Sequence, residues 1–163
     1  MSFSRGADRR GAGEGVLAPW ALFAVAALLI NDHLLKGSGL LPGLLTGKLS
    51  DLAGLLFFPV FLEALGEAGA AASGRWKGPS RGRLGACIIA TALAFSALQL
   101  LAEAAEIYRW GLGLLQAPFR ALGTGVWAWR PVAAWPDPSD LWCLPVLLLT
   151  WRWGQFRGPE EWP

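Results

Sequence analysis

A chain of 163 residues is about one domain long, yet 54% of this one is hydrophobic and only 16% charged, a balance that suits lipid better than water as the solvent. Its formal charge of +2 is too small, and its arginines too scattered between apolar blocks, for a nucleic-acid partner. Those blocks lack the amphipathic spacing that would give a soluble helix its polar face.

Residues 1–15 are rich in Gly and Arg and hold almost no large apolar side chains, so they are expected to form a mobile tail. Arg5, Arg9 and Arg10 precede an apolar run as in a signal peptide. The run meets Asn31, Asp32 and His33 instead of a small-residue cleavage site, which predicts a retained first span over 16–36. Four glycines and Pro42 between Gly37 and Gly47 predict a turn-rich linker. A second span is expected over 50–66, with Pro59 inside it and Glu63 and Glu67 near its far end. The loop that follows carries Arg75, Lys77, Arg81 and Arg83 and is the most basic in the chain.

A third span is predicted over 84–108 and a fourth over 139–153, the latter bounded by Trp142, Trp151 and Trp153 as in an aromatic belt. Between them, 110–135 is apolar but interrupted by Gln116, Pro118 and Arg120. An arginine at a helix centre costs about 2.5 kcal/mol or more in a bilayer, so this stretch is expected to be interfacial or re-entrant, with Trp110, Trp127, Trp129 and Trp135 at headgroup level. Residues 157–163 complete the chain as a C-terminal tail. The fold class expected is all-α, a polytopic membrane helix bundle of about four transmembrane helices.

Orientation follows from the positive-inside rule. Four spans put nine lysines and arginines on the side of both termini and five (Lys36, Lys48, Arg109, Arg120, Arg130) on the other. Both termini are therefore expected in the cytoplasm, in a cell inner membrane. Cys87 and Cys143 then fall near opposite surfaces, too far apart for a disulfide.

The same threading gathers polar helix ends on the extracytoplasmic side: Asn31, Asp32, His33 and Lys36; Lys48, Ser50 and Asp51; Glu103 and Glu106; Asp137, Ser139 and Asp140. Asp32 and Lys36 have the acid-first spacing of a helical ion pair. Ser96, Gln99, Glu103 and Glu106 follow 3-4-3 spacing and form a stripe about 80° wide on one helix, which would face the bundle or a wet cavity. Asp51 and Asp140 are expected at helix starts, where carboxylates meet free backbone N–H groups; Asp137-Pro138-Ser139-Asp140 reads as a cap followed by proline at the first helical position.

The motifs Asn31-Asp32-His33-x-x-Lys36, Gly47-Lys48-Leu49-Ser50-Asp51-x-x-Gly54 and Asp137-Pro138-Ser139-Asp140-Leu141 resemble the signature of a group of small, uncharacterised bacterial multi-pass membrane proteins. The resemblance runs from about Asn31 to Leu141 and implies a multi-pass membrane fold, without an activity, cofactor or residue role to carry over. No Gly-x-Ser-x-Gly elbow, His-Glu-x-x-His helix, P-loop or Cys-x-x-Cys pair is present.

Two functions are compatible with these residues. In one, the polar cluster of a small membrane enzyme or carrier binds a ligand headgroup, a cation or a proton; His33 with Asp32, Asp51, Glu103 and Asp140 could even supply mixed ligands to a divalent metal. In the other, the chain is a non-catalytic scaffold or partner subunit whose polar residues cap and pack helices. The small residues Gly85, Ala86, Ala90, Ala92, Ala94 and Ala97 permit close helix contact, and so a homo-oligomer or a membrane partner besides the lipid bilayer itself.

Overall fold

A computed structural model describes residues 11–36 and 38–154. Residues 1–10 of the expected N-terminal tail, and the expected C-terminal tail at 157–163, lie outside the described residues. Every regular element among those described is helical, as the apolar blocks require.

The chain divides into two compact units. The first comprises residues up to Ala92 together with those from Trp142 onward. It opens with a 3-10 turn, Glu14–Leu17, followed by α1, Pro19–Ile30, and a π turn, Asn31–Leu35. Pro19 occupies the first turn of α1, where its missing N–H has no helical partner to lose. α2 then runs from Gly43 to Ala72, and α3 spans Arg81–Leu100. A 3-10 stretch, Pro138–Val146, leads into α5, Leu147–Gly154.

At 30 residues α2 is about 45 Å long, ample for a bilayer core of about 30 Å. It replaces the predicted helix start near Ser50: Pro42 ends the linker in an extended conformation, and its carbonyl accepts the first bonds, from Leu45 and Thr46. Gly43 and Gly47 are poor helix formers, but Thr46 between them is buried in a tertiary contact that outweighs their propensity cost of about 1 kcal/mol each. The far end of α2 closes on Gly74, whose φ of 69° suits a residue without a side chain.

Among the described residues, α2 and α3 are the helices long and apolar enough to cross a membrane; only 28% and 17% of their apolar windows are buried. The core helix of a soluble protein would be mostly covered. Leu44, Leu45, Leu65, Ile89 and Leu93 instead point outward, an exposure that supports membrane association.

α1 packs on α2 through small residues. Ala21 and Ala24 are fully buried, letting the backbones approach, and Trp20 and Val60 join Ala21 in an apolar core flanked by Val16, Phe57 and Trp153. Trp153 of α5 lies 5.9 Å from Trp20, ring centre to ring centre. Pro59 sits inside α2, where it cannot donate to the carbonyl of Leu55. The buried hydroxyl of Thr150, on α5, lies 3.4 Å from that carbonyl and 3.4 Å from that of Leu56, a donor from a neighbouring helix in place of the lost one.

The second unit, Leu93–Leu141, corrects one expectation. The single helix predicted over 84–108 is two: α3 ends at Leu100, Leu101 is extended (φ −117°, ψ 117°), and α4 runs from Ala102 to Thr124. Glu103 in the first turn of α4 favours a helix N-terminus there through the helix dipole. The stretch 110–135, expected to be interfacial or re-entrant, begins inside this helix. α4 continues to Thr124, Gly125 turns the chain with φ 72°, and an irregular segment returns along α4.

Arg109 holds this return. Its backbone carbonyl accepts the N–H of Val132 at 3.1 Å, and its Nε donates to the carbonyl of Val132 at 3.1 Å. The guanidinium pairs with Glu106 and stacks 4.3 Å from the ring centre of Trp135, a cation–π arrangement. Trp129 donates its indole N–H to the carbonyl of Trp110 at 3.0 Å. Gly113 lets the Arg130 carbonyl press against α4 where any side chain would collide. Arg120, which argued against a spanning helix, donates to Gln116 one turn back at 2.7 Å.

The helix predicted over 139–153 is 3-10 to Val146 and α only beyond it. Pro145 lies within the 3-10 stretch, and its missing N–H interrupts the α-helical ladder.

Candidate functional site

The predicted polar residues divide between the units. In the first, Asn31 begins the π turn directly after α1, and its carbonyl accepts from Lys36 N at 2.8 Å, five residues on. Such wide turns recur at functional sites because they redirect side chains and carbonyls at a helix end. Here the turn carries the Asn31 side chain under α2, where it is completely buried.

The Asn31 amide donates both hydrogens: to the backbone carbonyl of Thr46 at 2.7 Å and to Ser50 Oγ at 2.7 Å. Ser50 Oγ in turn donates to Asp32 Oδ1 at 2.7 Å, and Lys36 Nζ stands 4.0 Å from the same oxygen. The result is a directed relay, amide to hydroxyl to carboxylate, ending at a half-exposed charge pair. A carbonyl can only accept, so the Thr46 contact fixes which end of the amide faces it. The other end, Asn31 Oδ1, is buried and receives no donor. A buried acceptor left so costs about 1–3 kcal/mol.

Asp32 and Lys36 thus pair as expected, while His33 lies exposed beside them. Lys48 and Asp51 are half-buried on α2. Asp51 does not cap this helix: α2 begins eight residues earlier, at Gly43.

In the second unit, Gln99 Oε1 accepts the backbone N–H of Asp137 at 2.9 Å, and Gln99 Nε2 approaches Asp140 Oδ2 at 3.4 Å. Asp137 caps as predicted, its Oδ1 accepting from Ser139 N at 2.9 Å. The predicted stripe is broken at Leu101, leaving Ser96 and Gln99 on α3 and Glu103 and Glu106 on α4. Glu103 is exposed and Glu106 is paired with Arg109. Among the described residues no three His, Cys, Asp or Glu side chains gather as a metal site. Cys87 and Cys143 form no disulfide.

Sequence reasoning missed a second buried polar group in the first unit. Glu67, on α2, accepts from Arg83 at 2.7 Å and from the backbone N–H of Gly13 at 2.9 Å. Arg83 also donates to the carbonyl of Gly78 at 3.0 Å. Gly13, expected to be part of a mobile tail, is therefore tied to α2. Glu63 is buried one turn before Glu67. The available signal was the pair of glutamates four apart on an apolar helix, which need a cation close by.

No family model matches the chain, and neither a curated protein nor a solved structure does.

Proposed function

We propose that this chain is a multi-pass inner-membrane protein of the bacterial type its motifs resemble, with about four spans and both termini in the cytoplasm. Its functional centre is a ligand site formed by Asn31, Asp32 and Ser50. One observation carries the reading: the wholly buried Asn31 Oδ1 lacks a donor, although the other end of the same amide is fully bonded. Buried polar groups in native proteins are nearly always satisfied, and an orphaned acceptor invites a ligand that brings positive charge or a hydrogen-bond donor. Asp32, Ser50 and Lys36 all belong to the first two motifs.

The alternative, a scaffold, draws support from Asp137 and Gln99, whose bonds hold one chain segment against another. Those contacts organise structure and leave Asn31 Oδ1 unexplained.

The test is a thermal-stability screen of the purified, detergent-solubilised protein against alkali salts, ethanolamine and phosphoethanolamine. A stabilising compound whose effect disappears in Ser50→Ala and Asp32→Asn but persists in Glu103→Gln is expected. If no compound acts, or Glu103→Gln removes the effect equally, the site is not the functional centre.

A further inference from the structure

Resting on the membrane reading above, we infer that α4 and its return segment lie flat in the surface of the lipid bilayer, the outer face of α4 in the acyl chains and the return segment at headgroup level. The polarity of α4 is inverted. Ile107, Trp110, Leu114, Leu115, Phe119 and Leu122 are exposed, Ile107 by 75% and Leu122 by 86%, and together they occupy about half of the helix circumference. Between Ile107 and Leu122 the charged side chains are Arg109 and Arg120. Both fall with Gln116 on the opposite half, the side of the buried Gly113 and Ala117. A helix of a soluble protein turns its polar face to solvent and its apolar face to the protein. α4 does the reverse along about 24 Å of its length, so its outer surface suits hydrocarbon.

Two arrangements in lipid would satisfy such a face: a hairpin dipping into the bilayer, or one lying in its surface. The direction in which polarity changes decides between them. Arg109, Gln116 and Arg120 are spread over about 17 Å along the helix, so polarity changes across the axis and not along it. A dipping hairpin would carry Arg120 into hydrocarbon, whereas a helix lying in the surface keeps both arginines at the depth of the headgroup phosphates.

The return segment agrees. It lies on the polar side of α4, with the Arg130 carbonyl against Gly113, and it exposes Trp127, Trp129, Arg130 and Trp135, residue types that favour the headgroup layer. The chain also leaves where it enters: the backbone N–H of Asp137 donates to Gln99 at 2.9 Å, so the hairpin adds no crossing to the count of spans. A protein partner is oriented by polar and charged groups, and no charge falls on the outer face from Ile107 to Leu122.

The experiment reconstitutes the full chain in lipid vesicles. Cys87→Ala removes one native thiol, and Cys143 stays because it is buried. Ile107→Cys, Leu115→Cys, Phe119→Cys and Leu122→Cys are each labelled with a fluorophore, as are Arg130→Cys and, on α3, Ile89→Cys. Every one of these side chains is exposed, so labelling leaves the packed contacts in place. Depth is read from quenching by lipids with a nitroxide near the headgroup or deep in the chain, and contact with water from quenching by iodide. Expected are four α4 depths equal to within about 5 Å, close to the ~5–10 Å of an interfacial helix, and iodide quenching several-fold stronger at residue 130 than at 119. A probe at 122 on the order of 20 Å deeper than one at 107 overturns the inference in favour of a dipping hairpin. Iodide reaching all four α4 probes overturns it in favour of water, and shielding from both quenchers in favour of a protein partner, a second copy included. In each of these cases deep nitroxide quenching at residue 89 leaves the membrane reading standing, whereas iodide quenching there removes both.

Discussion

Thr150→Val should reveal a hydrogen bond made necessary by Pro59. Valine keeps the volume and loses the hydroxyl, leaving the Leu55 carbonyl with no donor from Thr150 and none from residue 59. Thr150 is fully buried, so water does not readily substitute. The contact is long at 3.4 Å and shared between two carbonyls, which puts it at the lower end of the range of about 0.6–1.7 kcal/mol for interhelical bonds in membranes. A cost of about 0.6 kcal/mol corresponds to a fall of roughly 1–2 °C in melting temperature for a chain of this size. The decisive comparison is a double-mutant cycle. Pro59→Ala restores an N–H to the helix, which can donate to Leu55, so Thr150→Val made in that background should cost almost nothing. The assay is thermal unfolding of all four proteins in one detergent, followed by tryptophan fluorescence. Equal losses from Thr150→Val in both backgrounds would refute the coupling, because the hydroxyl would then act independently of the proline.

Arg83→Met should lower stability by about 2 kcal/mol, less than for a fully enclosed pair because the arginine is partly exposed. Glu67→Met added to it should recover part of the loss by removing the stranded carboxylate, a result to be read from melting temperatures of the single and double variants. Gly113→Val should destabilise the second unit by about 1–3 kcal/mol or more, since its side chain meets the backbone at Arg130 and Pro131. Proteolysis between residues 125 and 137 should accelerate in that variant, and unchanged protection would show that the return segment is held without the close approach.

The helical class, the apolar blocks and the polar interruptions between them were legible because hydropathy is a local property, averaged over neighbouring residues. Asp137 was legible as a cap for the same reason: cap, proline and following N–H groups are adjacent in sequence. The Asp32–Lys36 pair followed from helical spacing, though it forms across a π turn that the spacing does not announce.

What the sequence could not specify were features set by contacts between distant segments. α2 starts at Gly43, not Ser50, because Thr46 gains a buried partner in Asn31, fifteen residues away, and that gain is invisible to a propensity argument centred on two glycines. The break at Leu101 carries no proline or glycine signal; Gln99 holds Asp137 from across 38 residues, and the acidic first turn of α4 favours a new helix start. Arg109 was counted only as a loop charge, yet its bonds to Val132, Glu106 and Trp135 organise a unit. Composition and hydropathy therefore determined the helical class of this protein. Helix limits, the orphaned amide of Asn31 and the buried Glu67–Arg83 pair were decided by tertiary structure, because burial and hydrogen-bond satisfaction depend on which distant groups arrive.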